Sequence, residues 1–267
     1  MSNNASSKGT AVITGASAGI GKVYADRLAA RGYDLILVAR RADRLSALSQ
    51  ELSEAYDVKV QVLVADLARQ ADLAKVEEVL ANDSSVTLLV NNAGLARFSL
   101  LAKTPVSDSM AQLNLNITAL TRLTHAVLPR FLARNEGDVI NVASVLSIHA
   151  WEVSAVYSGT KAYVLSFSRG LQDELKNTGV RLQVVLPATT ATEIWDESGI
   201  PLSALRQESI MSTEDMVDAA LIGFDRGEKL TWPSVADESL WEKYDAARAA
   251  LFAATQTGTP APRYQKA

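Results

Sequence analysis

The feature that most constrains this chain is its alternation of short, continuously apolar, β-branched runs with longer stretches of helical spacing. The runs lie at Thr10–Thr14, Asp34–Ala39, Val58–Val64, Val86–Val90, Asp138–Ala143, Val180–Leu186 and Lys229–Trp232. A strand with one wet face alternates apolar and polar residues. A run apolar at nearly every position needs cover on both faces, which is the condition of a parallel sheet held between helical layers. The stretches between them, Ile20–Arg31, Asp43–Tyr56, Gln70–Ala81, Ser107–Ala133, Ala155–Asn177 and Thr213–Arg226, carry helical periodicity, and Gly32 and Gly179 stand just past helix ends. Strand and helix in regular alternation, joined by right-handed crossovers, predict an α/β fold: a doubly wound, mostly parallel Rossmann sheet of about seven strands flanked by helices.

With 267 residues and no linker-like stretch, the chain reads as one domain over 1–267, with irregular tails at 1–8 and about 256–267. The longest apolar runs are too short to span a bilayer, and the first residues lack the charged-then-apolar pattern of an export signal. The chain has no cysteine, which excludes a disulfide framework and a thiolate metal site. Its two histidines, His125 and His149, join no cluster of acidic residues that would suggest a metal. A net charge of −4 without a basic block argues against nucleic acid or an anionic membrane as partner. Together these features lead us to expect a cytoplasmic protein acting on a small molecule.

The first strand runs into Thr14-Gly15-Ala16-Ser17-Ala18-Gly19-Ile20-Gly21, and a helix follows. Gly15 permits a tight turn, Gly19 lets backbone approach a pyrophosphate, and Gly21 lets the helix pack close to the sheet. The phosphates then meet the positive helix N-terminus. The spacing G-x-x-x-G-x-G resembles the dinucleotide fingerprint of short-chain dehydrogenases, with Ser17 and Ile20 inside the same loop. At the end of the second strand an NAD site places a carboxylate for the ribose 2′-hydroxyl. This chain has Ala39 there, followed by Arg40 and Arg41. Arginine pairs with a 2′-phosphate and an aspartate would repel it, so NADP(H) is expected over NAD(H).

Tyr157 and Lys161 are four residues apart and share a helix face. Ser144 ends the fifth strand, thirteen residues before Tyr157, where ligands bind in a doubly wound sheet. Asn91-Asn92-Ala93-Gly94 follows the fourth strand, and Asn116 lies in the next helix. In order and spacing these motifs, together with the glycine loop, resemble the short-chain dehydrogenase/reductase superfamily over roughly Lys8 to Arg226. The resemblance implies catalytic roles for Asn116, Ser144, Tyr157 and Lys161, with Tyr157 as acid/base and Lys161 also holding the nicotinamide ribose. Asn114 competes with Asn116 for the helix position. Asn116 fits better by its distance to Ser144 and by the Ile-Thr-Ala-Leu that follows. Asn116 would bend its helix and hold a water linking Lys161 to solvent. Asp66 and Leu67 resemble the adenine-contacting pair, and Asn92, Ala93 and Gly94 belong to the cofactor site. Pro187 and the hydroxyls of Thr190 and Thr192 resemble the segment that meets the nicotinamide carboxamide, with Ala188 replacing the usual glycine. Chemically, the ammonium of Lys161 should favour the phenolate of Tyr157, and the Ser144 hydroxyl should steady negative charge on the substrate oxygen.

The expected activity is NADPH-dependent reduction of a ketone or aldehyde, reversible to alcohol oxidation. The alternative is a non-catalytic sensor or scaffold of the same fold that binds NADP(H). Leu146, His149, Trp151 and Trp195 are candidates for the substrate pocket. The segment Thr189–Ser212 is long, interrupted by Gly199 and Pro201, and rich in unplaced apolar groups, which suggests a lid. A homo-oligomer, tetramer or dimer, is expected from the resemblance. It is also suggested by Ile117, Leu120, Leu123, Val164, Leu165 and Phe167, which spread beyond one helical stripe.

Overall fold

The computed structural model describes residues 8–265, so most of the expected N-terminal tail and the last two residues lie outside the described part. Chain contacts divide the protein between Pro233 and Ser234 into two compact units, where the sequence reading took one domain throughout. The larger unit holds β1 (Thr10–Thr14), α1 (Gly19–Ala30), β2 (Asp34–Ala39), α2 (Ala42–Tyr56), β3 (Val60–Val64), α3 (Gln70–Asn82) and β4 (Val86–Asn91). It continues with α4 (Val106–Leu113), α5 (Leu120–Arg134), β5 (Gly137–Val142), α6 (Ala155–Glu174), β6 (Val180–Val185), α7 (Thr213–Asp225) and β7 (Leu230–Thr231).

The strands form one seven-stranded parallel sheet in the order β3-β2-β1-β4-β5-β6-β7. The pleat explains the continuous apolar runs. Along β2, Ile36 and Val38 enter a core on one face, shared with Leu73 and Val76 of α3, Leu123 and Val127 of α5 and Val164 of α6. Leu35 and Leu37 enter a second core on the other face, with Leu28 of α1, Leu48 of α2 and Leu221 of α7. β3 forms one edge of the sheet and is wetter, with Gln61 and Val64 exposed. No helix of the described residues is long and apolar enough to cross a membrane.

Two departures from the sequence reading matter. The stretch expected as one helix over Ser107–Ala133 is two helices joined by a π-helical segment, Asn114–Ala119. The residues invoked for an oligomer surface are also largely internal. Leu120, Leu123, Val164 and Leu165 are buried in the core of the single chain, so they do not call for a second subunit. Within the smaller unit, α8 (Ser239–Ala254) was not anticipated, and a short 3₁₀ turn, Pro262–Tyr264, follows it.

Candidate active site

The sheet order reverses between β1 and β4, and the crevice outside their carboxyl ends is where an open parallel sheet receives a ligand. Thr14 joins the two strand ends. Its hydroxyl donates to the Val90 carbonyl and accepts from the amides of Asn92 and Ala93, while the Asn92 side chain donates to the Thr14 carbonyl at 2.9 Å. Gly15 turns the chain at φ +68° and Gly19 at φ +53°, in the region that favours glycine. Gly21 is needed for closeness, since a Cβ there would lie 2.3 Å from the Gly15 carbonyl oxygen. The N-terminus of α1 has no side-chain cap and no acidic residue in its first turn, leaving its amides available to an anion.

A cleft of about 680 Å³ opens here. Of the residues nominated from the sequence it is lined by Gly15, Ser17, Gly19, Ile20, Arg40, Arg41, Asp66, Leu67, Asn92, Ala93, Gly94, Ser144, Leu146, Trp151, Tyr157, Lys161, Pro187, Thr190, Thr192 and Trp195. Gly21 sits behind the turn. Asn116 is buried behind the cleft wall, and His149 is exposed and outside the lining, which removes it from the substrate pocket. Where the second strand ends, Ala39 leaves space. Arg41 donates through Nε and Nη2 to the Ser17 hydroxyl at 3.1 and 3.0 Å. Arg44, in the first turn of α2, was not singled out from the sequence; it pairs with Glu193 at 2.7 Å, as does Arg41. A glycine turn with free helix amides fits the pyrophosphate of a dinucleotide.

Ser144, Tyr157 and Lys161 converge at the carboxyl end of β5. All three are at least nine-tenths buried. Ser144, two residues past β5, is in extended conformation, accepts from the Leu146 amide at 3.1 Å and hydrogen-bonds with Tyr157. Lys161 lies one turn beyond Tyr157 on α6, with Nζ 5.8 Å from the phenol ring centre, and donates to the Val142 carbonyl at 2.9 Å. Burial pushes the Tyr157 phenol up to about 12, only partly opposed by the Ser144 hydrogen bond, and lowers the Lys161 ammonium to about 8. Desolvation disfavours the charged form of each.

Asn116 occupies the π segment. Its Oδ1 accepts from the Leu95 amide at 2.9 Å, and its Nδ2 donates to the Leu95 carbonyl at 2.9 Å and to Thr160 Oγ1 at 3.0 Å. The Thr160 hydroxyl donates in turn to the Tyr157 carbonyl. Asn116 therefore ties the loop after β4 to the helix that carries Tyr157 and Lys161. Asn114 is exposed.

The wall opposite the dinucleotide turn is aromatic. Phe98, missed in the sequence, packs edge-on to Tyr157 at 5.3 Å, stacks on Trp195 at 5.6 Å and meets Trp151 at 5.9 Å. Ile194, Ile200 and Leu202, which had no evident core position in the sequence, pack against this cluster. The segment Thr189–Ser212 consists of three short 3₁₀ turns. Within it Trp195 Nε1 donates to the Thr190 carbonyl, and it is pinned from outside where the Phe98 amide donates to the Ser198 carbonyl. A Thr190–Met211 bridge closes its ends.

A short-chain dehydrogenase from Sphingobium yanoikuyae, solved with NADPH, superposes with a TM-score of 0.93 at 43% identity, covering 96% of this chain and 100% of that one. The alcohol dehydrogenase of Comamonas testosteroni specific for bulky-bulky ketones gives 0.89 at 38% identity, covering 97% and 99%. Among curated proteins, the very-long-chain 3-oxoacyl-CoA reductase-A of Danio rerio is 36% identical over 188 residues, 69% of this chain but 59% of that protein. This chain thus spans less than two thirds of the first such relatives. The family described as short chain dehydrogenase matches residues 9–200, a stretch that contains the glycine turn, Ser144, Tyr157 and Lys161 on the sheet order found here, and the chain belongs to that family.

Proposed function

We propose that this protein is an NADPH-dependent oxidoreductase that reduces a ketone or aldehyde to an alcohol, reversibly, with Tyr157 as the acid/base. The observation that carries this reading is the burial of Ser144, Tyr157 and Lys161 together against the cleft at the strand switch point. When bound, the nicotinamide would supply or accept the hydride. The protein's own part is the proton and the geometry. Tyr157 stays a neutral phenol through the neutral range and can donate to the oxygen of a carbonyl as negative charge develops there. Ser144 offers a second hydroxyl to the same oxygen. Lys161 lies close enough to compensate a transient phenolate.

Preference for the 2′-phosphorylated cofactor rests on Ala39, Arg40, Arg41 and Ser17 around the end of β2, and on the NADPH bound by the Sphingobium relative. The aromatic wall of Phe98, Trp151 and Trp195 favours a substrate with a hydrophobic body, in keeping with the ketone specificity in the name of the Comamonas relative. A homo-oligomer belongs to the same reading, on family resemblance alone.

The test is turnover of a panel of ketones and aldehydes with NADPH, repeated with Tyr157→Phe. Removing a positioned proton donor should cost about 10²- to 10⁴-fold in kcat. NADPH affinity should hold, because the ring remains. A Tyr157→Phe variant that keeps most of the wild-type rate would refute the assignment. A wild-type protein that binds NADPH but turns over nothing in the panel would favour the sensor reading.

A further inference from the structure

Glu193 stands at the start of the segment that crosses the cleft, one residue after Thr192, whose side chain lies against Gly19 of the dinucleotide turn. Its carboxylate takes three hydrogen bonds from two arginines. Arg41 Nη1 donates to Oε2 at 2.7 Å, and Arg44 Nη1 donates to Oε1 and Oε2 at 2.7 and 2.8 Å. Both arginines belong to the N-terminal end of α2, where the helix dipole makes added positive charge unfavourable and an anion favourable. Arg41 spends its other donors on Ser17. Ser17, Arg41 and Glu193 all line the same cleft, and the paired side chains are 40–48% exposed, so a solute can reach them.

We infer that Glu193 is an internal competitor for the arginines that receive the cofactor's 2′-phosphate, and that it thereby limits NADPH affinity and latches the crossing segment until that phosphate displaces it. The inference rests on the proposed preference for NADP(H). The chemistry favours the exchange. Arg41 and Arg44 hold the Glu193 carboxyl below its usual range, so it is fully ionised at neutral pH and occupies both cations. A phosphate monoester carries nearly two charges and three acceptor oxygens, against one charge and two oxygens for the carboxylate. The displaced carboxylate is already half in water, so its release costs little solvation. A cofactor without the 2′-phosphate has nothing to offer the arginines and leaves the latch closed. Glu193 would then be a specificity-determining residue on an element remote in sequence from the arginines.

The experiment is calorimetric binding of NADP+ and NAD+ to the wild type, Glu193→Gln, Arg44→Ala and the double variant. Hydrogen exchange over Thr189–Ser212 is followed alongside. Two exposed ion pairs are of modest strength, so Glu193→Gln should tighten NADP+ by about three- to tenfold and change NAD+ by less than about twofold. The gain should shrink in the Arg44→Ala background. Exchange around Glu193 should quicken in the unliganded Glu193→Gln protein, and in the wild type on adding NADP+ but not NAD+. A wild type that binds NADP+ no more tightly than NAD+ overturns the cofactor reading beneath the inference. A wild type that prefers NADP+, with a Glu193→Gln variant whose NADP+ affinity is unchanged or weaker, overturns the latch and makes Glu193 an orienting partner of the arginines.

Discussion

Two buried ionisable groups side by side, a phenol raised to about 12 and an ammonium lowered to about 8, give the site opposite responses to alkali. The raised phenol binds more protons when folded. Tyr157 therefore contributes stability that is fully present below its ordinary value of 10 and is lost as pH rises towards about 12. The lowered ammonium binds fewer, so Lys161 weakens the fold below about 8 and the penalty lifts as pH rises towards 10.5. For catalysis, carbonyl reduction needs the phenol's proton and alcohol oxidation needs its absence. Reduction should hold steady through neutrality and decline in alkali, while oxidation should climb steadily with pH. Profiles of kcat/KM in both directions check this, and an oxidation rate already flat around neutrality would contradict it. Ser144, Tyr157 and Lys161 could be nominated in the sequence because their motifs resemble a known family, and periodicity set them at a strand end and on one helix face. Phe98, Arg44 and Glu193 could not, because their importance arises only from contacts with residues far away in the chain. His149 failed for the converse reason: nearness to Ser144 in sequence did not carry its side chain into the cleft.

Elements were legible wherever burial demanded a pattern. The strands of the sheet fall within a few residues of their expected places because both their faces are covered. α8 went unread because it has no pattern to read: apolar residues surround it, and none of its residues is buried. The π segment was equally hidden, since one extra residue in a helical turn leaves the apolar spacing almost intact. Its consequence is local and testable. Asn116→Ala would leave the part-buried Leu95 amide and carbonyl at the cleft without the partners they have now, a smaller loss than the about 1–3 kcal/mol of a fully buried unsatisfied group. It should lower the melting temperature and reduce kcat more than it raises the Kd for NADPH, because the α6 end of the link bears on Tyr157. Gly21→Ala should behave differently. Its Cβ would meet the Gly15 carbonyl and push α1 off the turn, so NADPH binding should suffer first. Thermal shifts with and without NADPH separate the two, and a Gly21→Ala protein with a full NADPH-induced shift would contradict the packing argument.

At the scale of the whole cleft, the two sides are built differently. The dinucleotide side is sheet ends and a glycine turn, held by backbone and by Thr14, whereas the substrate side is a segment of short turns fixed at a few points. Thr189–Ser212 is closed on itself by the Thr190–Met211 bridge and is held to the rest by Glu193 on Arg41 and Arg44, by the Phe98 amide on the Ser198 carbonyl, and by an exposed pair between Arg97 and Glu197. Such a segment can move as a unit without disturbing the sheet, because few of its contacts belong to the two main cores. Its apolar face, with Trp195 stacked on Phe98 beside Tyr157, would exclude water from the reacting atoms once substrate fills the space. We therefore propose it as a lid whose grip depends on the hydrophobic body of the substrate. Hydrogen exchange across the segment should slow markedly when NADPH and a bulky ketone are both present, after any loosening caused by cofactor alone. Trp195→Ala removes the stacked surface, and a lost aromatic contact of about 0.5–1.5 kcal/mol beyond area burial corresponds to roughly two- to tenfold. That rise should appear in KM for bulky apolar ketones and be nearly absent for small polar ones. If exchange is already slow without ligand, and the substitution leaves the ranking of KM values unchanged, the segment is a fixed wall of the pocket and not a lid.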